Sequence, residues 1–346
     1  MRLPGRAGIL AAALLAAGAA GAGGGNDARS SFRIGLLLPE DAEVARAMRR
    51  GAELAAASLD VRILARAPGT NWSTQAERAA ALRFEDGVDA LLAPPDRRVA
   101  HAAAQLATRT RIPLVVLADA DALTRIGVPW LERVVPEERA LLGALFAETP
   151  PASPVAVVVD ADEEGRRLGR RAAAAALRAG RRTGTPLESD GTPRSTESVA
   201  RQILEGGFGA VLLAGSPLRT VALLERLDAA GWEGFRLAGP EEDAALLAAR
   251  AARAARGVVA PVRFDAAADA TSAAFEEAYI ARYDETPRWE SAAAHEAVRL
   301  LAARLEAKEG TAPAESRRPA PSPPVRLARI GPAGRLDPLH LEQETR

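Results

Sequence analysis

"TPPASPVAVVVDADEEGRRLG", Thr149–Gly169, decides how the chain is read. The Pro-rich start cannot be regular helix or a central strand. The run Val155–Val159 is apolar throughout, as suits a strand buried on both faces. An acidic turn follows, and then Arg and Leu at helical spacing. A strand that runs through a carboxylate-bearing turn into a helix is half of a βαβ unit. Here that unit begins afresh after a break, so the chain carries a second α/β series.

Upstream, the first series runs from Phe32 to about Pro136. Its strand candidates are Ile34–Leu38, Val61–Ala65, Ala90–Ala93 and Pro113–Leu117. Between them lie amphipathic stretches such as Val44, Met48, Ala52 and Ala55, with Arg46, Arg49 and Arg50 on other faces. Downstream, the second series continues through Ala210–Ala214, Phe235–Ala238 and Val258–Val262. Two long helices, near Ala270–Tyr283 and Glu290–Ala307, follow with no strand between them, and are expected to cap an existing sheet. Gly310–Pro324 reads as a Pro-rich linker, Val325–Ile330 as a short strand, Gly331–Gly334 as a turn, and Arg335 onward as a frayed end. The resulting class is α/β: two doubly wound parallel-sheet lobes joined by crossover strands. Residues 32–136 with 263–309 form the first lobe, 137–262 the second, 310–324 the linker, and 325–346 a terminal strand and tail.

Composition narrows the possible chemistry. The chain has 346 residues, 48% hydrophobic and only 4% aromatic, with a formal net charge of zero. Balanced charge gives no electrostatic reason to expect a nucleic-acid partner. Nearly all the basic residues are Arg, Lys308 being the sole lysine, and there is no cysteine. That excludes disulfides, thiolate metal sites, a Cys nucleophile and a lipid-modified N-terminal Cys. Residues 1–22 have the form of a secretory signal: Arg2 and Arg6, a short apolar run from Gly8, then Ala20-Gly21-Ala22 as an A-x-A exit. Cleavage after Ala22 is expected. No later segment is long and apolar enough to cross a membrane.

These elements, in this order, resemble the periplasmic binding proteins of the leucine/isoleucine/valine type that serve ABC importers. The resemblance rests on "RIGLLLP" (Arg33–Pro39), "RGAELAAASLD" (Arg50–Asp60), "GVDALLAP" (Gly87–Pro94), "RIPLVVLA" (Arg111–Ala118), the opening of the second series at Val155–Gly169, and the helical pair within Phe275–Glu306. It implies two lobes that close on a small molecule, presented to a membrane permease. It also implies a position outside the cytoplasm and no cofactor.

An enzyme finds little support. No G-x-S-x-G elbow, P-loop or H-E-x-x-H string is present. Gly206–Gly209 precedes a strand, whereas a dinucleotide loop would follow one. His101, His295 and His340 are scattered. Ser153, Ser216 and Ser291 have no evident base.

Ligands in such sheets sit by the loops after the strand C-termini. Those loops supply the candidate binding residues: Glu40 and Asp41; Asp96 and Arg97; Asp119 and Asp121; Asp162, Glu163 and Glu164; Ser216; and Glu241. Each carboxylate has a second reading as a helix cap. In amino-acid-binding members of the family, small hydroxyl residues and backbone N–H groups after the third strand hold the ligand carboxylate. Here Pro94, Pro95, Asp96 and Arg97 stand at that point. The aromatic often found after the fifth strand is replaced by Glu163 or Glu164. Arg97 and Arg98 can pair with the acidic loops or meet an anionic group on a ligand. A solute-binding role is the first reading. An envelope sensory or regulatory domain, acting through a protein partner, is the second.

N-terminal sequencing of protein recovered from the cell envelope is expected to begin near Gly23. Protein beginning at Met1 in the cytoplasmic fraction would rule out the signal reading.

Overall fold

The computed structural model describes residues 31–66, 72–119, 123, 128–151, 153–251, 253–309 and 323–339. The signal segment 1–22, linker residues 310–322, Asp121 and His340 lie outside the described residues.

Phe32–Leu37 (β1), Val61–Arg66 (β2), Ala90–Ala93 (β3), Leu114–Val116 (β4) and Leu131–Arg133 (β5) form one sheet in the order β2-β1-β3-β4-β5. All of its pairs are parallel. The second sheet takes in Val155–Asp160 (β6), Leu187–Ser189 (β7), Ala210–Ala214 (β8), Phe235–Ala238 (β9), Val259–Pro261 (β10), Leu327–Ile330 (β11) and Leu336–Leu339 (β12). Its order is β12-β11-β10-β9-β8-β6-β7. The pairs from β6 to β10 are parallel, and β11 and β12 join antiparallel. Both sheets reverse direction beside their first strand, between β1 and β3 and between β6 and β8. Such switch points are where open α/β sheets hold ligands.

The sequence reading needs three corrections. Leu336–Leu339 do not belong to a frayed end, because they pair with Leu327–Ile330 along four residues. Leu131–Arg133 and Leu187–Ser189 are strands that the apolar-run criterion passed over. Each is three residues long and carries charged or polar residues, Glu132 and Arg133 in one and Glu188 and Ser189 in the other. Runs that short have no periodicity to detect.

The helices form where a cap meets an apolar stripe. Ala42–Ala56 (α1) starts at Asp41, whose carboxylate accepts from the N–H groups of Glu43 and Val44 at 2.9 and 3.0 Å. Arg97–Thr110 (α3) starts in the same way at Asp96, and Glu163–Arg178 (α5) at Asp162. Trp72–Phe84 is α2 and Glu138–Ala147 is α4; Pro193–Glu205, Pro217–Ala229 and Ala244–Ala251 are α6, α7 and α8. Such caps contribute about 0.5–2 kcal/mol each.

The closing helices Ala270–Tyr283 (α9) and Trp289–Glu309 (α10) cap the first half of the molecule, as their position after the last crossover requires. Ala294, Ala297, Val298 and Leu301 of α10 join Met48 and Ala52 of α1 over Ile34, Leu36, Leu92 and Val115 of the first sheet. The second sheet has separate cores on its two faces. Helices α1 and α10 approach closely because Gly51 has no side chain. A Cβ there would stand 2.0 Å from the carbonyl oxygen of Ser291. Gly143 in α4 is the opposite case, with open space where a Cβ would go.

Gly51→Ala is therefore expected to lower unfolding free energy by about 1–3 kcal/mol, the range for an overpacked contact. Gly143→Ala should raise it by about 0.5–1 kcal/mol through helix propensity. Urea titration of both variants checks the pair.

Candidate functional site

The loops after β1, β3, β4, β6 and β9, with the start of α7, line one cavity of about 750 Å³. The candidates Glu40, Asp41, Asp96, Arg97 and Asp119 reach it from the first sheet. Asp162, Glu163, Glu164 and Glu241 reach it from the second. Ser216 does not line it. Its backbone N–H donates to the Asp160 carboxylate, and its hydroxyl makes no cap bond. Pro217, one residue on, takes the place on the wall.

Several of these carboxylates are occupied by the protein itself. Four of the helices that begin at the cavity have N-terminal donors filled by their own Asp, whereas α7, which opens at Pro217, has no side-chain cap. Asp96 Oδ1 accepts from Arg98 and Val99 N–H at 2.8 and 3.1 Å. Asp162 Oδ1 accepts from Gly165 N–H at 2.7 Å. Asp243 accepts from Ala245 and Leu246, both at 3.1 Å, and its second oxygen takes the Arg263 N–H at 3.0 Å. With Asp41 on α1, four helix N-termini at this wall have donors taken by the protein itself and are closed to a ligand anion.

The cavity floor is a network of ions. Arg97 stands at the first position of α3 with its guanidinium mostly buried, 15% exposed. Its Nε and Nη2 donate to Asp119 Oδ1 at 3.2 and 2.9 Å, and Nη1 donates to Glu164 Oε1 at 2.5 Å. Nη2 also donates to Glu138. Arg171 reaches the same two acids, Glu138 at 2.5 and 3.2 Å and Glu164 at 2.9 Å. Arg263 lies 3.5 Å from Asp119 Oδ2 and over the Trp289 ring at 4.7 Å. Burial opposes the charge on Arg97, but Asp119 and Glu138 overcome it and raise its pKa. Burial lifts the Glu138 carboxyl above its usual range, against the pull of Arg97 and Arg171.

Three carboxylates on the wall retain acceptor capacity. Among the described residues, Glu40 and Glu241 have no hydrogen-bond or ion-pair partner, and Oε1 of Glu242 is buried without one. Glu241 opens onto the cavity, yet protein surrounds it. Desolvation, then the Asp119 charge, pushes its pKa up to about 7, with Arg97 pulling it back. Glu242 is 2% exposed. Burial pushes it up to about 7 as well, against Thr220 and Arg250.

The sequence reading missed Glu138, Arg171, Arg263 and Trp289. Glu138 and Arg171 sit inside helical patterns, where a charge reads as solvated face. Trp289 opens α10 and Arg263 leaves β10. Only their position beside a crossing, not their residue type, could have marked them.

Two α/β halves whose strand-end loops line one cavity make up the site. The sequence profile described as periplasmic binding protein matches residues 31–318, and the chain belongs to that family. Its fold is that of a leucine-binding protein LivK from Thermotoga maritima MSB8, with a TM-score of 0.75 and 16% identity over 89% of this chain and 98% of that one. LivJ from Streptococcus pneumoniae, a branched-chain amino acid transporter substrate-binding protein solved with isoleucine, gives 0.72 and 17% over 89% and 99%. An ABC transporter solute-binding protein from R. palustris, solved with benzoate, gives 0.68 and 20% over 81% and 82%. None of the curated proteins matches the chain.

Glu242 makes the cavity wall pH-sensitive. An acid whose pKa rises on folding binds its proton more tightly in the native state. Stability is then highest below the unfolded value of 4.5 and falls as pH climbs towards about 7. The loss is on the order of 3 kcal/mol at 1.36 kcal/mol per pKa unit. Glu242→Gln is expected to remove this component. Its stability relative to wild type should grow between pH 4.5 and 7.5 in urea melts. A parallel pH dependence in both proteins would show that Glu242 is not strained.

Proposed function

We propose that the protein is an exported solute-binding protein. It captures a small molecule between its two halves and presents it to the membrane permease of an ABC-type importer. Family membership and a cavity bordered by loops from both sheets support this reading. Its mechanism is binding and hinge closure, with no covalent step. In this reading residues 32–136 with 263–309 act as one lobe and 137–262 as the other. The terminal pair β11–β12 extends the second sheet. Among the described residues no helix is long and apolar enough to cross a membrane, which fits a protein working beside its permease.

One observation carries the ligand class: the starts of α1, α3, α5 and α8 at the wall are already filled by Asp41, Asp96, Asp162 and Asp243, while Glu40 and Glu241 are unpaired among the described residues. At those four helix starts a simple carboxylate would meet occupied donors and nearby acids, with Arg98 and Arg250 as exposed cations elsewhere on the wall. A ligand bearing an ammonium, a guanidinium or several hydroxyls would meet acceptors. Aliphatic amino acids such as leucine are expected to bind poorly. The buried ion network on the floor favours a second reading, an envelope sensory or regulatory domain that acts through a protein partner.

A thermal-shift panel of amino acids, polyamines, sugars and small acids separates these outcomes. A ligand at about a hundred times its Kd adds roughly 2.7 kcal/mol, a melting shift on the order of 5 °C. Glu241→Gln should shrink the shift of a true ligand, measured against the variant's own ligand-free melting temperature. A full shift with leucine that survives Glu241→Gln would overturn the ligand class. No shift with any compound would favour the regulatory reading.

A further inference from the structure

The floor network does more than fill space, because its members come from both halves. Arg97 follows β3 and Asp119 follows β4, in the first half. Glu138 begins α4, whose Leu142, Leu145 and Phe146 pack into the core of the second sheet. Glu164 and Arg171 lie on α5, in the same half. Arg97 is thus the side chain that ties the start of α3 to α4 and α5 at once.

We propose that Arg97 is a latch: a tethered cation that holds the two halves together when no solute is bound.

Three features separate a latch from a static core contact. First, the ions are balanced, with Arg97, Arg171 and Arg263 facing Asp119, Glu138 and Glu164. Second, each half keeps a resident counter-ion. If the halves part, Arg97 retains Asp119 in the first, and Glu138 and Glu164 retain Arg171 in the second. A buried carboxylate stranded without a partner would make opening prohibitive; here no carboxylate is stranded. Third, the surroundings set Arg97 apart from its neighbour. Arg98, on the same turn, is 81% exposed and among the described residues pairs only with Asp96 at 3.5 Å, within its own loop. The guanidinium fork suits Arg97 for this role, because its nitrogens reach three acids in different directions. Two discrete pairings of the same ions, one across the halves and one within them, are what a bistable element needs.

The latch also accounts for the place of Pro94-Pro95-Asp96-Arg97. The two prolines present no N–H, and Asp96 satisfies the donors at the start of α3. The loop is built to aim Arg97 across the gap.

The test needs no solute, so its result stands apart from the solute-binding reading. The chain has no cysteine, so spin labels can be placed at Glu77→Cys on α2 and Glu205→Cys on α6, both exposed. Pulsed dipolar spectroscopy then gives the distance distribution between the halves. Wild type is expected to show one narrow population, and Arg98→Met the same. Arg97→Met should broaden it or shift its mean by more than about 2 Å, the scale of domain rearrangement. If Arg97→Met does not unfold cooperatively, Glu164→Gln provides the test. It removes the partner on α5, which is 42% exposed, and leaves Glu138 with Arg171. A distribution superimposable on wild type, in whichever of these variants is folded, overturns the latch.

Discussion

A constraint on helix starts shapes the whole cavity. Each helix that begins at the wall needs acceptors for its free N–H groups, and a short acidic residue supplies them most economically in space. Parallel topology puts helix starts at the carboxyl ends of strands. Two such sheets facing one another therefore bring their capping carboxylates to one place. Asp41, Asp96, Asp162 and Asp243 arrive there for local reasons. Their accumulated negative charge then has to be tolerated by a shared, partly dry space.

The protein meets that load with arginine. Arg97, Arg171 and Arg263 neutralise the deepest acids, and their planar forks satisfy several oxygens each. Glu242 stays buried by keeping its proton up to about pH 7. Arg263 does further service at the crossing after β10. Its backbone N–H binds Asp243, and its side chain stacks on Trp289 at the start of α10. The crossing, the cap of α8 and the helix that covers the first sheet are thereby joined through one residue.

The same arrangement underlies our proposal that this cavity differs from the carboxylate-holding sites that its family resemblance implies. The scaffold is shared with leucine- and isoleucine-binding structures at 16% and 17% identity, a level at which the fold persists while the wall is rebuilt. The wall here offers acceptors and a filled floor. The starts of α1, α3, α5 and α8 have their donors taken by the protein itself.

Much of the fold was legible because its signals are local. Val155–Val159, Ala90–Ala93 and Ala210–Ala214 are continuous apolar runs, and the α1 stripe repeats at helical spacing. The loops that follow them could be named, and most of their charged residues do reach the cavity. Leu131–Arg133, Leu187–Ser189 and Leu336–Leu339 were not legible, since a short strand is made by its neighbours' hydrogen bonds more than by its own pattern. The sequence by itself determined two α/β series and acidic helix starts, which follow from nearest-neighbour propensity; the crossing it read at Thr149–Pro154 falls earlier, before α4, whose Leu142, Leu145 and Phe146 pack on the second sheet. Only the tertiary structure decided which acids would be caps, which would be paired and which would stay unpartnered. That choice depends on Glu138, Arg171 and Arg263 arriving from distant parts of the chain, and a charge pairs with whatever the fold places within a few ångströms of it.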